Sequence, residues 1–200
     1  GAVVKISGQA EITAAAPQGK AGTWLLDPTD LEISYRADGA DDNVSHAHSQ
    51  TLQNSLNGGT NVVLETAASG SQAGNITLVD PLIWSGSATL ALTAHNNIRL
   101  NDYLHAPTGG LILSAGNNIT TGAEGHINVG SFTLLDGDWS QVAATLPTFS
   151  TRDFSLEGGS FVRALGGSGS SASPWRLTDI YGLQGLATQL SGHAVLANNI

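Results

Sequence analysis

Apolar and polar residues alternate along this chain in short bursts, not in long stripes. Ile76-Thr-Leu78, Leu90-Ala-Leu92, Ile98-Arg-Leu100, Ile127-Asn-Val129 and Phe154-Ser-Leu156 each set apolar side chains two residues apart, the period of a strand with one buried face. The bursts are rich in Thr, Val, Ile and Leu. They are separated by Gly, Asn, Asp and Pro, which favour turns, and no helical stripe of useful length interrupts them.

The bursts themselves recur. Ile76, Ile98 and Ile119 each follow an asparagine (Asn75, Asn97, Asn118), at steps of 22 and 21 residues. Leu92-Thr-Ala-His-Asn-Asn-Ile98 rhymes with Leu113-Ser-Ala-Gly-Asn-Asn-Ile119, and the pair Phe132 and Trp139 returns as Phe154 and Phe161, displaced by 22. A period this short holds only a few strands and turns, which predicts a solenoid. At about 3.3 Å per residue one unit has roughly 70 Å of contour, enough for three short strands and their corners. The fold expected is an all-β parallel β-helix with coils of about 21–22 residues.

In that fold each coil hydrogen-bonds to the next and inward side chains stack in rows. Ile76, Ile98 and Ile119 are expected in one row and Leu78 with Leu100 in another. Asn75, Asn97 and Asn118 are expected to stack at a corner, where asparagine tolerates left-handed backbone and bridges coils. Leu26-Asp27-Pro28 and Val79-Asp80-Pro81 read as equivalent corners. A leucine-rich repeat shares the period, but its asparagine should fall three residues after the second leucine, where Leu92 and Leu113 are followed by His95 and Gly116. Asp102 to Gly110 offers no convex helix either.

Charge narrows the partners. Asp and Glu outnumber Lys and Arg by 16 to 7, giving a formal charge of −9. Without a clustered cationic face, nucleic acid and anionic membrane are not expected partners. No apolar run is long enough to insert in a bilayer. Charged residues make up only 12%, while glycine at 25 of 200 residues is well above the common share of about 7%. There is no Cys, hence no disulfide framework, and no Met, so residues 1–200 read as one β-helical segment of a larger, processed protein.

Three stretches break the rhythm and are expected as loops leaving the rod: 37–50, polar and acidic; 69–74, small; and 166–173, a Gly/Ser run ending at Pro174. His46 and His48 share one face of an extended segment, a spacing that can hold a metal or contact haem, but no third ligand is evident and two histidines in a solvated loop is the favoured reading. Asp38, Asp41, Asp42 and Asn43 form an oxygen-rich cluster of the kind calcium uses, without the spacing of an EF-hand. His95, His105, His126 and His193 are expected in turns or on the outer face. Asp136 and Asp138 flank Gly137 and are read as a turn. Gly167-Ser-Gly-Ser-Ser-Ala172 opens no helix and is set aside as a dinucleotide loop. With no nucleophile motif, the chain is read as non-enzymatic and without a cofactor.

Trp84, Tyr103, Trp139, Trp175 and Tyr181 are the aromatics whose faces suit sugar C–H groups; pairing of Trp139 with Phe161 assigns that pair to the core. Trp175, Tyr103, Trp84 and Tyr181 remain as candidate ligand contacts.

Several phrases resemble a known family. Gly22-Thr-Trp-Leu-Leu-Asp-Pro28 with Leu31-Glu-Ile33, the Leu-Thr-Ala-His-Asn-Asn-Ile unit, and Asp138-Trp-Ser-Gln-Val-Ala-Ala-Thr-Leu-Pro-Thr-Phe149 through Arg163-Ala-Leu-Gly-Gly167 to Pro174-Trp-Arg-Leu-Thr-Asp-Ile-Tyr-Gly-Leu-Gln-Gly-Leu186 resemble the filamentous-haemagglutinin-like exoproteins of two-partner secretion. That resemblance implies a right-handed β-helix, passage through an outer-membrane transporter, and display at or release from a Gram-negative cell surface. The expected function is an adhesin segment that binds extracellular polysaccharide or a surface protein. Two alternatives stand beside it: capture of haem or a haem carrier through His46 and His48, and a β-helical polysaccharide lyase or hydrolase, which rests on fold analogy alone. Both chain ends read as open strands, so end-to-end self-association is also expected.

Overall fold

Short alternating runs become strands here because each finds a parallel neighbour one coil away. The computed structural model describes residues 3–16, 22–36, 44–67 and 72–200. In chain order the elements are β1 (Lys5–Ile6), β2 (Thr23–Leu26), β3 (Leu31–Ser34), β4 (Ser45–His48), α1 (Ser49–Asn57), β5 (Asn61–Glu65), β6 (Ile76–Leu78), β7 (Leu82–Ile83), β8 (Thr89–Ala94), β9 (Ile98–Leu100), β10 (Leu104–Thr121), β11 (Ile127–Val142), β12 (Phe149–Leu156), β13 (Ser160–Ala164), β14 (Trp175–Leu177), α2 (Ile180–Gly185), a 3-10 turn (Leu186–Thr188) and β15 (Ala194–Leu196). The chain is 49% strand and 10% helix and winds as a parallel β-solenoid of about six turns. The long strands β10 and β11 pass around corners, so each contributes to all three faces of the coil.

Register defines the faces. The first stacks β2, β5, β8, then the middle of β10, the middle of β11, and the end of β12. The second stacks β1, β4, β3, β6, β9, then the ends of β10 and β11, and β13. The third stacks β7 with the beginnings of β10, β11 and β12.

Inward rows follow from the register. Ile76 pairs with Ile98 and Ile98 with Ile119, all fully buried, as the 21–22-residue echo predicts. Phe132 stacks on Phe154 at 5.5 Å and Trp139 on Phe161 at 5.3 Å, so the second echo is a stack of parallel rings. The asparagine corner forms as well: Asn97 Nδ2 donates to Asn75 Oδ1 (3.2 Å), and Asn118 N–H donates to Asn97 Oδ1 (3.1 Å). It does so without left-handed backbone, since no described non-glycine residue has positive φ.

One inward row changes character along the axis. It begins Ala47, Ile33, Leu78, Leu100 and continues Thr121, Gln141, Arg163. Gln141 Nε2 donates to Thr121 Oγ1 (2.8 Å), Arg163 donates to Gln141 Oε1 and to Pro147 O, and Arg163 Nε reaches Asp179 Oδ2 at 2.7 Å. A buried guanidinium is tolerable only with such a full set of acceptors. Asp179 in turn N-caps α2 by accepting from Gly182 N–H (2.9 Å).

Three sequence expectations need correction. Residues 45–50 are not loop: β4 pairs with both β1 and β3, and α1 begins at Ser49, while 37–43 lie outside the described residues. The helix α1 itself escaped the strand reading, because only Leu52 and Leu56, both fully buried, mark its inner face. The two Asp-Pro corners are not equivalent, for Pro28 turns the chain from the first face to the second and Pro81 from the second to the third. Gly166–Ser173 is an exposed but tightly hydrogen-bonded turn, closed by Ser168 N–H on Ser173 O (2.8 Å) and Ser173 N–H on Ser170 O (3.1 Å). Of 69–74, only 72–74 are described.

Chain order and stacking order part company at one place. β4 follows β3 in sequence but lies on its other side, between β3 and β1. From there α1 crosses beneath β7, where Gln53 Oε1 accepts from Ile83 N–H (2.9 Å) and Asn57 Oδ1 from Ser85 N–H (2.8 Å). Side chains one helical turn apart thus take the place of the coil that would otherwise pair with β7. At the opposite end α2 and the 3-10 turn do the same. The Tyr181 hydroxyl both accepts from Thr151 N–H (2.9 Å) and donates to Thr151 O (2.7 Å), and Thr188 Oγ1 accepts from Phe161 N–H (2.9 Å).

Candidate functional site

His46 and His48 do share the outward side of β4, but neither ring is poised for a ligand. His46 is 6% exposed, with Nδ1 3.5 Å from the Glu32 carboxylate. His48 N-caps α1 by accepting from Gln50 N–H through Nδ1 (3.2 Å), and its ring covers Gly8 and meets Tyr35 edge-on. Asp38, Asp41 and Asp42 lie outside the described residues. Among the described residues no three His, Cys, Asp or Glu side chains gather as a metal would need. Asp136 Oδ1 accepts from Gly137 N–H (2.8 Å) and Asp138 Oδ1 from Ser160 Oγ (2.7 Å), so both carboxylates serve a turn whose glycine has φ +101°.

The four candidate aromatics separate. Trp84 is 1% exposed, and its indole N–H donates to Ala88 O (3.0 Å), which makes it core. Trp175 is half-buried in β14, its ring wedged between Gly169 and Gly192: a Cβ at either would approach it to 2.5 or 2.3 Å. Tyr181 spends its hydroxyl on Thr151 and packs on Phe149 and Phe154. Tyr103 alone presents a ring with its polar end turned toward other surface groups.

That ring belongs to a small ridge on the third face. Tyr103 lies over His105 at 5.4 Å with 14° between the planes, and its hydroxyl is 2.9 Å from His105 Nδ1. His126 stands one coil further, edge-on to Tyr103 at 6.4 Å, and its Nδ1 accepts from Thr148 N–H (2.8 Å). All three rings are half-buried, and the exposed Glu124 carboxylate lies 3.8 Å from His126. The strand alternation explains the placement: Leu104 and Ala106 point inward and fully buried, so Tyr103 and His105 point out. Beside the ridge runs a groove of about 470 Å³, walled by His105, Ile83, Pro107, Thr108, Ser85 and Asn57.

Stacked rings next to hydroxyl, amide and carboxylate groups form a surface suited to a sugar, whose C–H face packs on an aromatic while its hydroxyls take hydrogen bonds. His105 and His126 were left among turns and outer-face residues by sequence reasoning. The signal was present: Leu104 pairs with Ile127, so Tyr103 and His126 occupy equivalent positions in successive coils, 23 residues apart. No protein-family model, no curated protein and no solved structure matches the chain. No helix among the described residues is long and apolar enough to cross a membrane.

Proposed function

We propose that this chain is a non-enzymatic β-solenoid segment of a secreted, filamentous-haemagglutinin-like adhesin that reaches a Gram-negative cell surface through an outer-membrane transporter. Its ligand is an extracellular polysaccharide, bound along the third face. The single observation supporting the ligand class is the Tyr103–His105–His126 ridge with its adjoining groove. The family part of the reading is supported by the sequence phrases around Trp24, Trp139 and Trp175. A surface that collects weak polar and aromatic contacts gains strength when many copies are displayed together.

A glycan array run with the wild type, Tyr103→Ala and Trp175→Ala tests it. Polysaccharide capture is expected to fall roughly tenfold in the first variant, the loss of about 1.4 kcal/mol of ring contact, and to persist in the second. Equal capture by wild type and Tyr103→Ala removes the ridge as the binding surface.

A further inference from the structure

The ridge is part of two longer outward rows. Leu82, Leu104, Ile127 and Phe149 are in register and buried, so the residues on either side of them face out on four successive coils. Those before them form the row Pro81, Tyr103, His126, Thr148, and those after them the row Ile83, His105, Asn128, Ser150. Polar groups of the first row are largely spent within the protein, for the Tyr103 hydroxyl is 2.9 Å from His105 Nδ1, and His126 Nδ1 accepts from Thr148 N–H at 2.8 Å. The second row keeps its capacity. Among the described residues nothing hydrogen-bonds to the side-chain amide of half-buried Asn128 or to the hydroxyl of exposed Ser150.

Spacing and charge of these rows both select a ligand. Neighbouring coils lie roughly 4.8 Å apart, so each row offers one side chain per step of that length. An extended chain of β-1,4-linked pyranoses, joined through equatorial bonds, advances by about the same distance per sugar. Laid along a strand instead, such a chain would run off the face, because Leu104 to Ala106 spans only roughly 10 Å before the register shifts at the corner. As for charge, neither row holds Lys or Arg, and carboxylates flank them: Glu124 is exposed beside His126, and Asp102 Oδ1 accepts from Tyr103 N–H at 2.7 Å. Arg152, further along the strand, is already matched to Asp153 at 3.8 Å. A polyanionic glycan would meet repulsion here without a compensating cation.

We propose that the ligand is a neutral β-1,4-linked polysaccharide lying parallel to the solenoid axis, one sugar per coil over four coils. This rests on the ridge being the glycan surface. The groove at Ile83 and Pro107 seats the first sugar, and the Tyr103 and His105 rings carry the second. Asn128 and Ser150 hydrogen-bond to hydroxyls of the third and fourth.

The probes are cello-oligosaccharides of two, three and four sugars, titrated calorimetrically into the whole chain. Each sugar added from two to four is expected to tighten binding roughly fivefold. In Asn128→Ala the gain from the third sugar is expected to vanish, and in Ser150→Ala the gain from the fourth; both side chains point outward, so neither change touches the core. Maltotetraose, whose α-1,4 links curl the chain, and a tetramer of β-1,4-linked glucuronate, which has the same linkage but carries carboxylates, are each expected to bind roughly tenfold or more weaker than cellotetraose. If Tyr103-dependent glycan capture stands but cellotetraose does not bind, or binds no tighter than cellobiose, the ridge survives and the axial course is overturned. Unchanged length dependence in both alanine variants, or equal binding of maltotetraose or the glucuronate tetramer, overturns it as well. If Tyr103→Ala captures every glycan as the wild type does, the ridge itself falls and this proposal with it.

Discussion

Arg163 occupies the last position of a row that begins with aliphatic side chains and ends with polar ones. It is 5% exposed and bonds to Asp179, Gln141 and Pro147 O, with its guanidinium over the Phe149 ring at 5.8 Å. Removing one partner of such a buried pair costs about 3–5 kcal/mol, more than a surface ion pair ever contributes. Arg163→Ala is therefore expected to lower the urea midpoint sharply and to loosen α2, because Asp179 loses the group that holds it in capping position. Trp84 carries a related lesson. Its composition-level promise as a sugar platform vanished because its indole N–H finds Ala88 O four residues on, a partnership that only the folded corner brings about.

Elements were legible in proportion to their repetition. Ile76, Ile98 and Ile119 announced a stacked row because three equally spaced residues share one environment. The helix α1 offered no repeat: Leu52 and Leu56 are its only large apolar residues, and its N-cap is a histidine in place of the usual Ser, Thr, Asp or Asn. It forms because Leu52 and Leu56 plug the core while Gln53 and Asn57 satisfy the edge beside them. Leu56→Ala is expected to cost about 2–5 kcal/mol in chemical denaturation, with loss of helical signal in circular dichroism. The ridge was half legible, since Tyr103 stood out as an aromatic with His105 two residues on, while His126 joins it only through a step of 23 residues, longer than the 22 and 21 of the isoleucine echo.

At the scale of the whole molecule, stability is a sum over neighbouring coils, so a coil is removable if the register survives. Deleting residues 98–118 joins Asn97 to Ile119 and returns the Ile76 row to an isoleucine neighbour. That shortened chain is expected to keep a strand spectrum and a cooperative, weakened transition. Deleting residues 98–117 instead shifts every later side chain by one position and is expected to abolish cooperative unfolding, since inward and outward sets exchange places.

Because β4 is clasped between β1 and β3, the beginning of the chain cannot be peeled away turn by turn. A tug on the first residues tears at β1, which is held by a strand that comes some forty residues later in the sequence. Freeing β3 then requires that the same later strand let go. The polypeptide is in effect stitched through itself at that end, so under tension it yields there in one large rupture, and at the opposite end it unravels winding by winding.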